Sequence, residues 1–331
     1  MQLRNDTPFA TMFFESVDEV DRPINVAILR GTFDISPGGT LEVADEQTPV
    51  VMADEYYDQP LTSSIRVDTD LVPKKYHTDI TLEAVAHAPD TMPQQAWEVS
   101  VSVGTLCKRL RVTGPRFWNC GLLAWTLSQP EPCREVPIRY EYAYGGTYRR
   151  DDQEFRYELN PVGRGFVDLR HRDRKDPVPA PQIETLDEPI RAIDHPYRPA
   201  GFGPIPKHCL PRRSRCGTPD AKWIDERWPL RPLDFDFNYY NCASEGLRYE
   251  GFLQGNELVV LTNLTQHGDL RFQLPSLDQL VFSVDAAGAF VLEPLILDTV
   301  HINAIKTQVS LTWRATFLRP APPTMVQFTP K

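Results

Sequence analysis

Thirteen of the chain's 31 prolines fall between Asn160 and Asp234, a stretch that makes up less than a quarter of its 331 residues. Each proline removes a backbone donor and fixes φ near −65°, so neither a long helix nor a central strand can run through this segment. It is not a solvated linker either. It carries Phe166, Ile183, Tyr197, Phe202, Ile205, Trp223 and Trp228, and a chain that stays in water has little use for such large apolar groups. The segment therefore reads as an ordered, irregular wrap laid over a scaffold built by the rest of the chain. A long structureless stretch in a compact fold is usually either functional or a misassigned element, which directs the search for a site here.

The flanks supply the scaffold. Asn25 to Asp34 is a β-forming run, and Ser36-Pro-Gly-Gly-Thr followed by Leu41-Glu-Val reads as a hairpin. Trp97, Val99, Val101 and Val103 alternate with polar residues, which gives one buried face and one wet face. Ile138, Tyr140, Tyr142 and Tyr144 are placed by the same logic on one strand face. Beyond the proline-rich segment, alternation resumes at Leu247 and recurs through Glu257–Leu264, Leu270–Leu274, Gln279–Val284, Gly288–Asn303 and Val309–Phe317. No helix longer than about ten residues is expected; Asp18–Val20 and Ile183–Ile193 read at most as single turns. The expected fold class is all-β, with antiparallel sheets packed as one or two sandwich-like units. Three regions follow: an N-terminal antiparallel region (1–159), the Pro/Gly/Arg-rich segment (160–234), and a C-terminal β region that completes the fold (235–331).

Composition narrows the function classes. No apolar run approaches the roughly 18 residues of a membrane helix, and the N-terminus lacks an apolar stretch of signal-peptide length. The expectation is a cytoplasmic protein that does not act at a membrane. The net charge is −10, and residues 1–100 hold 6 Lys+Arg against 18 Asp+Glu while the remainder balances near zero. Such an acidic first third repels phosphates, which argues against nucleic acid as partner and suits a basic protein surface. The six cysteines show no CxxC spacing and read as reduced thiols.

Signatures of chemistry are weak. His195, His208, Cys209, Cys216, Asp194 and Asp220 lie in one region, but without the close ligand pairs of a zinc site. No GxSxG elbow and no activated-thiol context occurs. The glycine pairs Gly163/Gly165 and Gly201/Gly203 lack a P-loop ending. Carboxylates pair at Asp68/Asp70, Asp151/Asp152, Asp225/Glu226 and Asp234/Asp236. Strand alternation in Leu233-Asp-Phe-Asp-Phe would set Asp234 and Asp236 on one face, as a glycosidase centre needs; capping a loop or pairing with arginine is the simpler role. The basic run Arg212, Arg213, Arg215 reads as a set of partners for such carboxylates, or as a contact for an acidic protein.

Several ordered motifs carry a resemblance. They are Lys75-Tyr-His-Thr-Asp-Ile, Gly114-Pro-Arg-Phe-Trp, Tyr144-Gly-Gly, Asn160-Pro-Val-Gly-Arg-Gly-Phe, Gly201-Phe-Gly-Pro, Arg215-Cys-Gly-Thr-Pro-Asp-Ala-Lys-Trp, Pro232-Leu-Asp-Phe-Asp-Phe-Asn-Tyr-Tyr-Asn-Cys-Ala and Gly255-Asn-Glu-Leu through Leu274-Pro275. Over roughly residues 5–285 the chain resembles the family of effector chaperones or adaptors that accompany bacterial type VI secretion systems. It departs from the pattern at Pro115 and His77. The resemblance implies a non-enzymatic protein without cofactor or metal. Such a protein binds a secreted effector, or a PAAR-like tip protein, and helps load it onto the spike; the spike protein is a further partner. The motif residues singled out as candidates for partner binding are Asn160, Gly163, Arg164, Arg215, Gly217, Asp220, Trp223, Asp234 and Asp236. Two other readings stay open: a structural or immunity-type binding protein of the same system, and a carboxylate-dependent hydrolase using the acids between Asp220 and Asp236.

Overall fold

A computed structural model describes residues 1–121, 124–150, 152–167, 177–193, 195–318 and 322–331. Three sheets carry the fold. The largest has seven strands; six run in the order Ala10–Val17, Pro23–Ile35, Gln308–Leu318, Ile296–Asn303, Thr78–Glu83, Arg248–Tyr249, and Leu41–Val43 pairs with Pro23–Ile35. A five-stranded antiparallel sheet runs Ile183–Thr185, Leu106–Thr113, Ala96–Val103, Leu258–Thr262, Leu270–Gln273. A four-stranded sheet joins the N-terminus to the C-terminus: Gln2–Asn5, Met325–Pro330, Gln279–Val284, Phe290–Glu293. Strands from before and after the proline-rich segment are neighbours throughout. Pro23–Ile35 pairs with Gln308–Leu318, and Ala96–Val103 pairs with Leu258–Thr262. Pairing is mainly antiparallel, with parallel exceptions at Thr78–Glu83/Ile296–Asn303 and Gln2–Asn5/Met325–Pro330.

Alternation builds the core. Trp97, Val99, Val101 and Val103 all face inward and are buried, as their spacing requires. They meet Leu29, Leu82, Val300, Ile302, Leu311 and Trp313 from the seven-stranded sheet in one continuous cluster. Burying such side chains contributes roughly 1.5–3 kcal/mol each.

The other face of the seven-stranded sheet departs from expectation. Beside an apolar patch of Ile24, Val26 and Ile28, its alternate positions are polar: Arg30, Thr32, Asp79, Thr81, His301, Ser310, Thr312 and Arg314. Every one of them is buried. The chain covers this face instead of leaving it to water. Val51 donates to the Asp70 carboxylate, Val72 accepts from Arg314, and Arg212 reaches Asp68 from the proline-rich segment. A bulge between Leu297 and Thr299 shifts the register there, and Asp298 accepts from Arg314 Nε.

Three local expectations are corrected. Tyr140–Tyr142 is a 3-10 turn, not a strand, because the backbone turns at Arg139 so that Tyr142 N–H donates to Arg139 C=O. Ile183–Thr185 is an edge strand rather than a turn, pairing with Leu110–Val112; edge position is what its proline-rich surroundings allow. Asp234 and Asp236 do not lie on a strand. Asp236 caps the 3-10 helix Phe237–Tyr240 by accepting from Asn238 N–H.

Candidate functional site

The proline-rich segment is pinned to the scaffold by motifs that interlock in pairs. The first pair joins Tyr144-Gly-Gly to Asn160-Pro-Val-Gly-Arg-Gly-Phe. Buried Asn160 donates through Nδ2 to the carbonyls of Tyr140 and Tyr144, at 2.9 and 3.0 Å. Its own carbonyl accepts from Gly146 N–H. Tyr144–Gly145 and Arg164–Gly165 then form a short parallel ladder. A Cβ on Gly145, which has φ +149°, would fall 2.1 Å from the Asn160 carbonyl, so the close approach requires glycine. Gly163 packs against the Asn160 amide. Arg164 donates to the Glu141 carbonyl at 2.7 Å and to Gln182 Oε1 at 3.1 Å, and stacks on the Tyr142 ring.

The second pair joins Arg215-Cys-Gly-Thr to Leu233-Asp-Phe-Asp. Asp234 accepts from Thr218 N–H and Oγ1, at 2.9 and 2.7 Å. Arg215 Nη1 lies 3.0 Å from Asp236 Oδ2. Gly217 sits at φ +74°, with Pro232 and Asp234 too close to admit a Cβ. Between these two anchors the chain makes an excursion. Asp220 caps the short helix Ala221–Glu226 by accepting from Trp223 N–H at 2.8 Å, and Trp223 Nε1 donates to the Leu230 carbonyl. Arg227 ties the excursion to Asp21, and Arg231 donates to the Val17 carbonyl.

A third pair lies under the wrap. Asp79, from Lys75-Tyr-His-Thr-Asp, accepts from Lys75 Nζ and from the N–H groups of Cys242 and Ala243 in Asn-Cys-Ala. It is fully buried, and these three donors hold its carboxyl below the ordinary aspartate range against the opposing effect of desolvation. Arg212, the first of the basic run, is buried against Asp68 at 3.1 Å and donates also to the carbonyls of Ile205 and Tyr239. Arg213 pairs with Glu158 at the surface.

The nine motif residues thus separate into two groups. Asn160, Gly163 and Arg164 form one lock, whereas Arg215, Gly217, Asp220, Trp223, Asp234 and Asp236 frame the excursion. Their polar atoms are engaged in holding backbone. Beside the exposed Lys222, Asp225 and Glu226, the excursion also presents apolar side chains outward: Ile224, Trp228 and Leu233 are 59%, 67% and 83% exposed. Trp228, counted in the sequence among the groups that argue against a solvated segment, is thus largely exposed, and Ile224 carried no motif; the signal available was the density of apolar residues within ten residues of two strong turn anchors.

Among the described residues no group of three or more His, Cys, Asp or Glu could hold a metal ion. His195 instead lies 3.2 Å from Glu188, and all six cysteines are free thiols. Asp151 and Asp194 lie outside the described residues. No helix among the described residues is long and apolar enough to cross a membrane.

A mainly β scaffold with a long irregular Pro/Gly/Arg-rich central segment defines the class of protein. Residues 21–314 match the family described as uncharacterized protein conserved in bacteria (DUF2169), and the chain belongs to that family. No curated protein and no solved structure matches it.

Proposed function

We propose that this protein is a non-enzymatic adaptor that binds a type VI secretion effector, or its PAAR-like domain, in the bacterial cytoplasm and helps load it onto the spike. The observation that carries the reading is the anchored excursion. A chain that leaves Ile224, Trp228 and Leu233 in water, on a loop held at both ends by hydrogen bonds, keeps an apolar surface that its own core does not use. The order of the motifs that frame it supports the same reading. Of the acids between Asp220 and Asp236 on which a hydrolase would depend, Asp220 caps a helix and Asp234 and Asp236 are occupied with Thr218, Asn238 and Arg215.

The test is a clean deletion in the native host, with effector secretion and effector abundance as readouts, complemented by wild type or by the triple variant Ile224→Ser/Trp228→Ser/Leu233→Ser. Deletion is expected to lower delivery of one effector, and the triple variant is expected to accumulate normally yet fail to restore it. Unchanged delivery in the deletion strain overturns the adaptor reading. Full complementation by the triple variant moves the docking surface elsewhere.

A further inference from the structure

Buried cations in this molecule come with buried anions. Arg30 has Asp70 at 3.1 Å, Lys75 has Asp79 at 2.9 Å, Arg116 has Glu184 at 2.7 Å and Arg212 has Asp68 at 3.1 Å. Such pairing is what low-dielectric surroundings demand. Lys108 is half-buried and, among the described residues, has no such partner. In the strand Leu106–Thr113 it shares the alternate positions with Leu106, Leu110 and Val112, whose side chains belong to or pack against the core. It therefore sits in a register that is otherwise apolar. Its Nζ donates to Ser244 Oγ at 2.8 Å, and that hydroxyl donates onward to the Gly201 carbonyl at 3.0 Å. Among the described residues no carboxylate oxygen forms an ion pair with it.

Lys108 opens onto a cavity of about 480 Å³ between the five-stranded sheet and the proline-rich wrap. That is within the range of small-ligand sites, roughly 300–1,000 Å³. Tyr140, Leu159, Ala200, Ile205 and Pro206 supply apolar wall. The charges that face it are committed elsewhere: Arg198 to Asp187 and Glu245, Arg109 to Glu98. Glu245 favours the charged lysine but is itself largely exposed. Burial keeps the Cys209 thiol neutral, with its pKa pushed up to about 12, and raises that of the Tyr140 phenol.

We infer that this cavity is a binding site for a ligand that brings a carboxylate to Lys108 and an apolar body to the Tyr140–Ile205 wall. The carboxylate would supply the kind of partner that the fully buried cations Arg30, Lys75, Arg116 and Arg212 already have. It could come from a small organic acid or from the C-terminal residue of a peptide, since both present the same group on an apolar stem. The inference does not depend on the adaptor reading. Desolvation brings the Lys108 amine down to about 7 in the unliganded protein, so a carboxylate that pairs with it also restores its proton.

Calorimetry on the full chain tests this, with hexanoate and N-acetyl-leucine as probes and hexanamide and N-acetyl-leucinamide as uncharged controls. At least one acid is expected to bind saturably and its amide at least about tenfold more weakly, as loss of a charge-assisted hydrogen bond implies. Preference for N-acetyl-leucine points to a peptide terminus, preference for hexanoate to an organic acid. Lys108→Met is expected to fold and to lose the acid. Binding by wild type at pH 8 is expected to take up a proton, whereas binding at pH 6 does not. Absence of saturable binding by either acid, equal binding of the amides, or retained binding in Lys108→Met overturns the inference. If Lys108→Met fails to fold, the absence of proton uptake at pH 8 in wild type overturns it equally.

Discussion

The two faces of the seven-stranded sheet are built from the same strands by the same alternation, yet they are held by different physics. One face presents Leu29, Ile80, Leu82, Val300, Ile302 and Leu311 to a shared apolar core. The other presents Arg30, Asp79, Thr81, His301, Thr312 and Arg314 beside a smaller apolar patch of Ile24, Val26 and Ile28, and is just as buried. The apolar face is tolerant, since its contribution scales with area and neighbours can adjust. The ionic face is not. Each charge there is acceptable only while its partner is present, because an isolated buried charge costs several kcal/mol. Alternation in sequence therefore reports the polarity of a face and not its exposure. Whether the polar face is wet depends on what the rest of the chain lays over it, and here that cover includes the segment richest in proline.

The largest expected effect comes from leaving one charge of the ionic face alone. Asp79→Asn strips the countercharge from Lys75 and weakens the acceptor for Cys242 and Ala243 N–H. It is expected to destabilise by about 3–5 kcal/mol, measured by denaturant unfolding. A loss below about 1 kcal/mol would show that the face hydrates or rearranges, which would remove the contrast between the faces.

Acid should expose the same contrast without mutation. His301 is buried on the ionic face with Nδ1 3.0 Å from Thr81 Oγ1, and burial together with Arg30 and Arg66 lowers its pKa from 6.5 to about 3. Its folded value lies below its unfolded value, so the unfolded chain takes the proton first. Stability is therefore unaffected above about pH 6.5, falls as pH drops from there toward 3, and stops falling from this source below that. The slope attributable to His301 approaches about 1.4 kcal/mol per pH unit. His301→Gln should be less steeply acid-labile than wild type by that difference. Parallel unfolding profiles between pH 6 and pH 4 would assign the acid lability to other groups.

How much of this was legible in the sequence follows from the same comparison. The apolar face was readable because Trp97, Val99, Val101 and Val103 alternate without interruption, and periodicity is a local signal. The irregular course of the Pro/Gly/Arg-rich segment was readable from its prolines. The partners were not. Asp68 and Arg212 are 144 residues apart in the chain, and Asp70 and Thr312 are 242 apart; nothing in either local sequence names the other. Strand reasoning also failed at Leu233-Asp-Phe-Asp-Phe and at Tyr140–Tyr142, where side-chain capping or a backbone turn overrode alternation. Lys108 lies in the alternating strand Leu106–Thr113. Its consequence was not visible, because a lysine in a core register differs from one at a strand end only through what surrounds it.

The smallest expected effect is the sharpest test of why the ionic face exists. Arg314 and Asp298 form a buried pair, with Arg314 Nε donating to Asp298 Oδ2 and Nη1 to the Val72 carbonyl at 2.8 Å. Removing both charges as Arg314→Met/Asp298→Leu leaves no isolated ion. It orphans the Val72 carbonyl, at a cost of about 1–3 kcal/mol if it stays dry, and takes the acceptor from the Thr299 hydroxyl, which still accepts from Lys75 Nζ. It also removes the desolvation of two ions, which continuum arguments place at a similar size. The expected net change is within about 1 kcal/mol of zero, whereas Asp298→Leu alone should cost about 3–5 kcal/mol. That outcome would mean the ionic face contributes little net stability, and that its charges act by admitting a single placement of the wrap over the sheet. A double variant as unstable as the single one would mean instead that the pair attracts strongly enough to stabilise the fold outright, and the two faces would then differ in chemistry but not in role.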